Sequence, residues 1–122
     1  MQTLAKFAVG FVALSHIGIM ILEMFFWNHP VGRRIFEMTP EVSQSSAVLS
    51  ANQGLYNGFL AAGLIWGLLT ANRPVQIFFL ICVAVAGCFG AATAKPTIFF
   101  SQALPALISL ALLISAGQAK QR

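Results

Sequence analysis

The sequence predicts an all-α fold, an antiparallel four-helix bundle embedded in a membrane, and three observations support this prediction. Of the 122 residues, 58% are hydrophobic and only 8% are charged, whereas soluble globular proteins carry about 25% charged residues. The mean hydropathy is +0.83. Four apolar windows, at 4–27, 47–71, 75–93 and 97–117, each approach or exceed the roughly 20 residues that cross a bilayer. We therefore expect a single membrane domain over residues 1–122.

The first window, residues 4–27, is expected to be a retained helix. Lys6 precedes the apolar run, as in a signal peptide, but the run is longer than a typical signal-peptide core and no convincing cleavage site follows it. The window also carries His16 and Glu23. Seven residues on a helix return to nearly the same azimuth, about 10 Å further along the axis. Because ionisable groups are costly in hydrocarbon, we expect this face to be covered by protein.

The long connection over residues 28–46 is expected to lie at the membrane interface. Its first half mixes aromatic, apolar and basic side chains, which suits a segment with rings toward the lipid and guanidinium groups toward water. Its second half predicts the start of a helix, with Thr39 as N-cap, Pro40 at the first helical position and Glu41 near the positive end of the helix dipole. Both an ordered lid and a simple connector are compatible with this segment.

Two very short connections, 72–74 and 94–96, predict that the last three windows are antiparallel neighbours. An even number of spans places both termini on one side of the membrane. That side would carry Lys6, Arg73, Lys120 and Arg122, and the other side Arg33, Arg34 and Lys95. Because positive residues are more frequent on the cytoplasmic side, we expect the termini in the cytoplasm.

Small residues spaced four apart occur in the second and third windows and predict close helix packing. They are Gly54, Gly58, Ala62, Gly63 and Gly67 in the second window, and Ala86, Gly87, Gly90, Ala91 and Ala94 in the third. We therefore expect the second and third helices to form the tightest pair.

Several chemical classes are not expected from this sequence. Cys82 and Cys88 lie about 120° apart on a helix, and without a nearby His or Asp they predict small buried apolar residues and no metal site. The chain has no Asp and no nucleotide-binding motif. No cofactor is expected, although a quinone or haem held by His16 alone stays open. The Lys and Arg residues flank the apolar windows and form no basic run, which argues against nucleic acid as a partner.

Polar side chains in the first, second and fourth windows predict a shared pocket. Asn52, Gln53, Tyr56 and Asn57 form two i, i+4 pairs, a polar face about 100° wide near the long connection. Gln102 lies one to two turns after the start of the fourth window. The half of the predicted bundle away from the connection is almost entirely apolar. Such a distribution is expected for a cavity that opens toward the connection and is closed at its far end.

We expect two groups of residues to act in this pocket. Glu23 and His16 are the candidate catalytic residues, and Asn52, Gln53, Tyr56, Asn57 and Gln102 are the candidate ligand-binding residues. The alternative is that these groups only join the helices. Interhelical hydrogen bonds contribute about 0.6 kcal/mol each in membranes, and Glu23 is close enough to the helix end to reach the interface.

Three stretches of the chain resemble those of a known family. They are Leu22–Trp27 (LEMFFW), Ala51–Leu64 (ANQGLYNGFLAAGL) and Gln102–Leu107 (QALPAL). Over nearly its whole length the chain is similar to domain-of-unknown-function family 1304, an uncharacterised family of bacterial membrane proteins. The resemblance implies a small four-span protein of the bacterial inner membrane, and it brings no established activity or catalytic residue.

Three functions are compatible with the sequence. The first is a pocket for a lipophilic small molecule, such as a lipid or isoprenoid, with Glu23 as general acid or base and His16 as its partner or as a proton shuttle. The second is a small-solute or proton-coupled transporter built as a homo-oligomer, although the internal repeat that such transporters usually carry is not found. The third is a non-catalytic membrane scaffold, for which the small-residue faces suffice.

Overall fold

The computed structural model describes residues 1–118, and within that range it is all-α and contains no strand. Helix α1 is Gln2–Phe25, α2 is Pro30–Phe36, α3 is Pro40–Leu69 and α4 is Arg73–Thr93; a π-helical turn, Phe99–Ala103, leads directly into α5, Leu104–Gln118. The all-α prediction is therefore confirmed. Lys120 and Arg122, which contribute to the predicted orientation, lie outside the described residues.

Three helices in the described chain are long and apolar enough to cross a membrane: α1, α4 and the continuous segment Phe99–Gln118. The longest helix, α3, has 30 residues, but serines and amides in its first half lower its hydropathy. Its role as a fourth span stays a prediction. Large apolar side chains are exposed on the spanning helices, for example Phe7 at 71% and Phe89 at 70%, as expected for surfaces that contact lipid.

Side-chain caps define where the helices around the long connection begin. Thr39 Oγ1 accepts a hydrogen bond from the backbone N–H of Val42 at 3.3 Å, and α3 begins at Pro40 as predicted. The first half of the connection contains α2, whose N-terminus is capped by His29 Nδ1, which accepts from the Val31 N–H at 3.2 Å.

The connection is tied to the start of α3 by side-chain contacts. Trp27 Nε1 donates a hydrogen bond to Ser46 Oγ at 2.9 Å, and Ser43 Oγ donates one to Asn28 Oδ1 at 2.7 Å. The rings of Trp27 and Phe36 have centroids 4.6 Å apart. The connection is therefore an ordered segment whose position is fixed by contacts on both sides of α2.

The chain divides into two compact units. The loop unit is Leu14–Ala61, and the terminal unit is Met1–Ala13 together with Ala62–Arg122, of which the last four residues are not described. Helices α1 and α3 each contribute one part to each unit.

In the loop unit, α1 and α3 run antiparallel and approach closely at two glycines of α3. A methyl group built on Gly54 would lie 2.7 Å from Met24 Cγ and 3.1 Å from the Met20 carbonyl oxygen, and one built on Gly58 would lie 2.6 Å from Met20 Sδ. Both positions fall inside van der Waals separation. A larger residue at Gly54 or Gly58 would therefore push atoms of α1 aside.

In the terminal unit, α4 is an antiparallel neighbour of both α3 and the π-helical segment that leads into α5. Gly67 of α3 packs against Gln76 of α4, and Gln76 Nε2 donates a hydrogen bond to the Gly67 carbonyl at 2.8 Å. Further along α4, Gly87 packs against the backbone of Ala103. Apolar side chains that include Leu64 and Leu80 are completely buried and form the core around these contacts.

The small residues of α3 and α4 do not all lie between these two helices, and whether α3 and α4 form the tightest pair stays a prediction. Gly54 and Gly58 contact α1, whereas Gly87 and Gly90 contact the segment that leads into α5. A spacing of four places residues on one helix face, but it does not specify which neighbour covers that face.

The expected burial of both cysteines is wrong, because Cys88 is exposed and Cys82 is half-buried. Cys88 lies on the same face of α4 as Val85 and Phe89, which are 64% and 70% exposed. The apolar character of this face suits contact with lipid, so burial within the protein is not required for a cysteine there.

A π-helical turn, Phe99–Ala103, lies close to Pro105 at the start of α5. Proline has no backbone N–H, so the carbonyl of Ser101 cannot accept its usual α-helical hydrogen bond. One residue earlier, the Leu104 N–H donates to the carbonyl of Phe99, five residues back, which is the π-helical pattern.

Candidate functional site

The loop unit brings a carboxylate and an amide together between two helices. Asn57 Nδ2, on α3, donates a hydrogen bond to Glu23 Oε2, on α1, at 2.8 Å. Within the described chain, Asn57 is the side chain that hydrogen-bonds to this carboxylate, and no Lys or Arg is paired with it. Glu23 is half-buried. A carboxylate and an amide therefore share one polar site in an apolar helix pair.

A third polar side chain fixes the backbone beside this pair. Ser50 Oγ donates a hydrogen bond to the carbonyl oxygen of Glu23 at 3.0 Å, and Ser50 is only 4% exposed. This carbonyl lies in the last turn of α1, where it would otherwise lack an intrahelical donor. Ser50 thus holds the end of α1 against α3.

Ser50 was not among the residues predicted from the sequence, although a signal for it exists. Ser50, Gly54, Asn57 and Gly58 follow the i, i+4, i+7, i+8 pattern of a single helix face. The two glycines of this face allow α1 to approach. A short polar side chain one turn before the first glycine is therefore expected to contact the same neighbour.

The other predicted ligand-binding residues of α3 lie on exposed surface. Asn52 is exposed, and its Nδ2 donates to the carbonyl of Val48 within the same helix at 3.3 Å. Gln53 is exposed as well. Tyr56 is 60% exposed, and its ring contacts that of Phe59 edge-on with centroids 6.0 Å apart. Of the predicted polar face of α3, the structure brings only Asn57 into contact with Glu23.

The two remaining predicted residues, His16 and Gln102, belong to different units and differ in burial. His16 is almost completely buried, with 1% of its surface exposed, as expected for the covered face of α1. It lies two turns before Glu23 on the same face, about 10 Å away along the axis. Gln102 lies in the π-helical turn of the terminal unit and is half-buried. Its membership in a site with Glu23 stays a prediction.

Among the described residues of the terminal unit, none of the predicted site residues lines either of two well-formed cavities. The larger, about 540 Å³, lies at the ends of three helices and includes Lys6 and Arg73 in its wall. The smaller, about 250 Å³, is lined mainly by apolar side chains, including Phe11 and Ile108. Neither cavity is the predicted one that opens toward the long connection.

The pair formed by Glu23 and Asn57 can bind a polar group of a ligand. A carboxyl group accepts or donates protons, and Asn57 Oδ1 remains as an acceptor, because both Nδ2 hydrogens bond to Glu23 and to the Gln53 carbonyl. In a medium of low dielectric constant such hydrogen bonds are electrostatically stronger than in water. The chemistry available here is therefore recognition of a hydroxyl group and transfer of a proton.

A protein family and a bacterial protein are similar to this chain over most of its length. Residues 10–114 match the family model "Protein of unknown function (DUF1304)". The chain is 32% identical over 103 residues to "Uncharacterized protein YpaA" of Lactococcus lactis subsp. lactis (strain IL1403), a match that covers 81% of this chain and 87% of that protein. No solved structure matches the chain.

Proposed function

Because the chain belongs to the DUF1304 family of proteins of unknown function, we propose its function from the site itself: it is an integral membrane protein that binds the polar group of a lipophilic small molecule at Glu23 and Asn57. In this proposal α1, α3, α4 and the segment Phe99–Gln118 cross the bacterial inner membrane as an antiparallel bundle. The termini lie in the cytoplasm.

The crossing of α3 is supported by its length. At 1.5 Å per residue, 30 residues extend about 45 Å, more than the roughly 30 Å thickness of the hydrocarbon. The polar first turns can therefore stand outside the hydrocarbon while the remainder crosses it. The antiparallel contacts of α3 with α1 in the loop unit and with α4 in the terminal unit are those of neighbouring spans.

The hydrogen bond between Asn57 Nδ2 and Glu23 Oε2 is the observation that carries the proposal. An ionisable residue inside a membrane helix is costly and is usually functional. The donor here is a neutral amide, so the carboxyl group can exchange its proton without separating an ion pair. A hydroxyl group of a lipid or isoprenoid would donate to the Glu23 carboxylate or to Asn57 Oδ1, because both Nδ2 hydrogens of Asn57 already bond to Glu23 and to the Gln53 carbonyl.

The proposal extends to acid/base chemistry on the bound molecule. Glu23 would protonate or deprotonate a lipid or isoprenoid, as in an isomerisation or a hydration, while Asn57 orients the reacting group. His16, on the same face of α1 and almost fully buried, would be the second proton carrier. Proton transfer at Glu23 requires neither a metal nor a nucleotide.

The test is native extraction in a mild neutral detergent followed by mass spectrometry of the bound small molecules. We expect a specific lipophilic molecule to co-purify with the wild type and to be reduced roughly tenfold or more in Glu23→Gln and Asn57→Leu, because a hydrogen bond to a charged group contributes about 1.5–3 kcal/mol. Asn52→Leu is the matched control. It removes the same amide from the same helix, where that amide bonds only within α3.

Three results would contradict the proposal. If the wild type carries only bulk phospholipid and does not differ from the Glu23 and Asn57 variants, no specific molecule is held at this site. If Glu23→Gln instead abolishes solute uptake into proteoliposomes, the protein is a transporter. Variants that lose only stability would indicate a membrane scaffold.

A further inference from the structure

The larger cavity of the terminal unit lies where three helix ends meet. Its wall is formed by the first turn of α1, the first turn of α4 and the last turn of α5, and its volume is about 540 Å³. Small-molecule pockets are usually between 300 and 1,000 Å³. Two cationic side chains, Lys6 and Arg73, share this wall with small apolar residues that include Ala5 and Ala116.

The described residues of the terminal unit include no acidic side chain that could neutralise these cations. The chain has three acidic residues, Glu23, Glu37 and Glu41, and all three belong to the loop unit. Within the described residues, the Arg73 guanidinium donates one hydrogen bond, from Nη2 to the carbonyl of Ile114 at 3.1 Å, while its buried Nε has no acceptor. The other N–H groups of Nη1 and Nη2 are the donors left for an anion that enters the cavity.

Arg73 is held in place at the wall of the cavity. Its guanidinium packs directly against Gly117 of α5, where a Cβ atom would overlap Nη1 and Cζ. Together with the bond to the Ile114 carbonyl, this contact fixes the planar group before any ligand arrives. A preorganised guanidinium loses less conformational entropy on binding, and its geometry matches a phosphate.

The position of the cavity identifies the source of the anion. Its wall is made by the ends of α1, α4 and the segment Phe99–Gln118, which are long and apolar enough to cross a membrane. Leu4 and Phe7, beside Lys6 on α1, are 55% and 71% exposed, as expected for side chains that face lipid. Helix ends at this level lie among the phosphates of the lipid headgroups, and basic pockets between membrane helices bind such headgroups.

We propose that this cavity binds the phosphate of an anionic membrane lipid through Lys6 and Arg73. The site is separate from the pair of Glu23 and Asn57. A test of lipid binding here therefore does not decide the function proposed above. The bound lipid would supply negative charge beside Lys6 and Arg73, and it would link the ends of α1, α4 and α5.

The test is native mass spectrometry of the full chain in neutral detergent with phosphatidylglycerol or phosphatidylcholine of identical acyl chains. We expect one phosphatidylglycerol molecule to bind in preference to phosphatidylcholine. Loss of each cation, in Lys6→Gln or Arg73→Gln, should weaken this binding roughly 5-fold, and the double variant should weaken it on the order of 30-fold. Arg34→Gln, which removes an exposed cation of α2, should leave it unchanged.

Gly117→Ala tests the position of the guanidinium without changing any charge. The added methyl group would displace the end of the flexible Arg73 side chain, so phosphatidylglycerol binding should weaken while folding is preserved. Equal binding of the two lipids, or equal losses in Arg34→Gln and Arg73→Gln, would overturn the proposal. Displacement of phosphatidylglycerol by millimolar inorganic phosphate would also overturn it, because the site would then recognise a soluble phosphate.

Discussion

At the scale of single residues, Asn57 has two contacts that together fix its position. Its Nδ2 donates to Glu23 Oε2 at 2.8 Å and to the carbonyl of Gln53 at 3.2 Å. The second contact lies within α3 and orients the amide, so that the first reaches α1 without rearrangement. Asn57 is therefore a positioned donor for Glu23.

Glu41 provides a pH-dependent contact at the residue scale. Its carboxylate accepts hydrogen bonds from its own backbone N–H and from the Thr39 hydroxyl, with a smaller contribution from the charge of Arg33, and the pKa of Glu41 is lowered from its ordinary value of 4.5. Because the folded-state pKa lies below the unfolded value, these contacts stabilise the start of α3 above pH 4.5. The stabilisation is lost as the pH falls through the folded-state pKa.

We predict that Thr39→Ala raises the pKa of Glu41 toward 4.5, whereas Thr39→Ser, which keeps the hydroxyl, leaves it low. The measurement is a carbon-13 NMR titration of the side-chain carboxyl groups in micelles, where only three acidic residues need assignment. An unchanged midpoint in Thr39→Ala would show that the hydroxyl does not bind the carboxylate.

At the scale of the helices, the close approach of α1 and α3 depends on Gly54. A methyl group there would meet Met24 Cγ at 2.7 Å, Glu23 Cβ at 3.0 Å and the Met20 carbonyl oxygen at 3.1 Å. Glu23 Cβ and the Met20 carbonyl oxygen are part of the α1 backbone or bonded to it, so they can move only if α1 itself moves. We predict that Gly54→Ala lowers the free energy of unfolding by about 1–3 kcal/mol, the usual range for overpacking.

Gly18→Ala is the matched control for Gly54→Ala, because no atom lies within 4 Å of a methyl group at Gly18. Alanine is favoured over glycine in helices by roughly 0.5–1 kcal/mol, so this variant should be neutral or more stable. Both can be measured by denaturation of the micelle-bound protein with tryptophan fluorescence as the readout. Equal effects at the two positions would show that the contact at Gly54 does not limit stability.

Much of the helical structure could be predicted from local signals in the sequence. The start of α3 at Pro40 follows from Thr39 and Glu41, and Pro105, which has no N–H, indicates an irregular turn near Ser101, where the π-helical turn lies. Such signals act within a few residues of the chain. They do not report how a helix face is shared among neighbours, which is why the partners of Gly54 and Gly87 were missed.

The candidate site was only partly predicted, because local sequence signals do not show which side of a helix meets its neighbour. The face of α3 that meets α1 is set by Gly54 and Gly58, and Asn57 lies at its edge, whereas Tyr56 lies on nearly the opposite side. The polarity of neighbouring positions indicates that a polar surface exists. Which of its side chains reaches the partner helix depends on the closest backbone approach, and that is a property of the packed pair.

At the scale of the whole molecule, the number of membrane crossings decides the arrangement of the termini. If α1, α3, α4 and the segment Phe99–Gln118 all cross, both termini lie on the same side. If α3 stays at the interface, the three helices that are long and apolar enough place the termini on opposite sides. The side of the C-terminus relative to the N-terminus therefore tests the fourth span directly.

We predict that a fluorescent reporter, active only in the cytoplasm, fluoresces when fused to either terminus of the full chain. A reporter that is active only outside the inner membrane should be active when inserted after Met38, between α2 and α3. These results follow from an even number of crossings and from the positive charges of Lys6 and Arg73 on the cytoplasmic side. Fluorescence at one terminus only would mean that α3 does not cross, and the pair of Glu23 and Asn57 would then lie at the membrane surface.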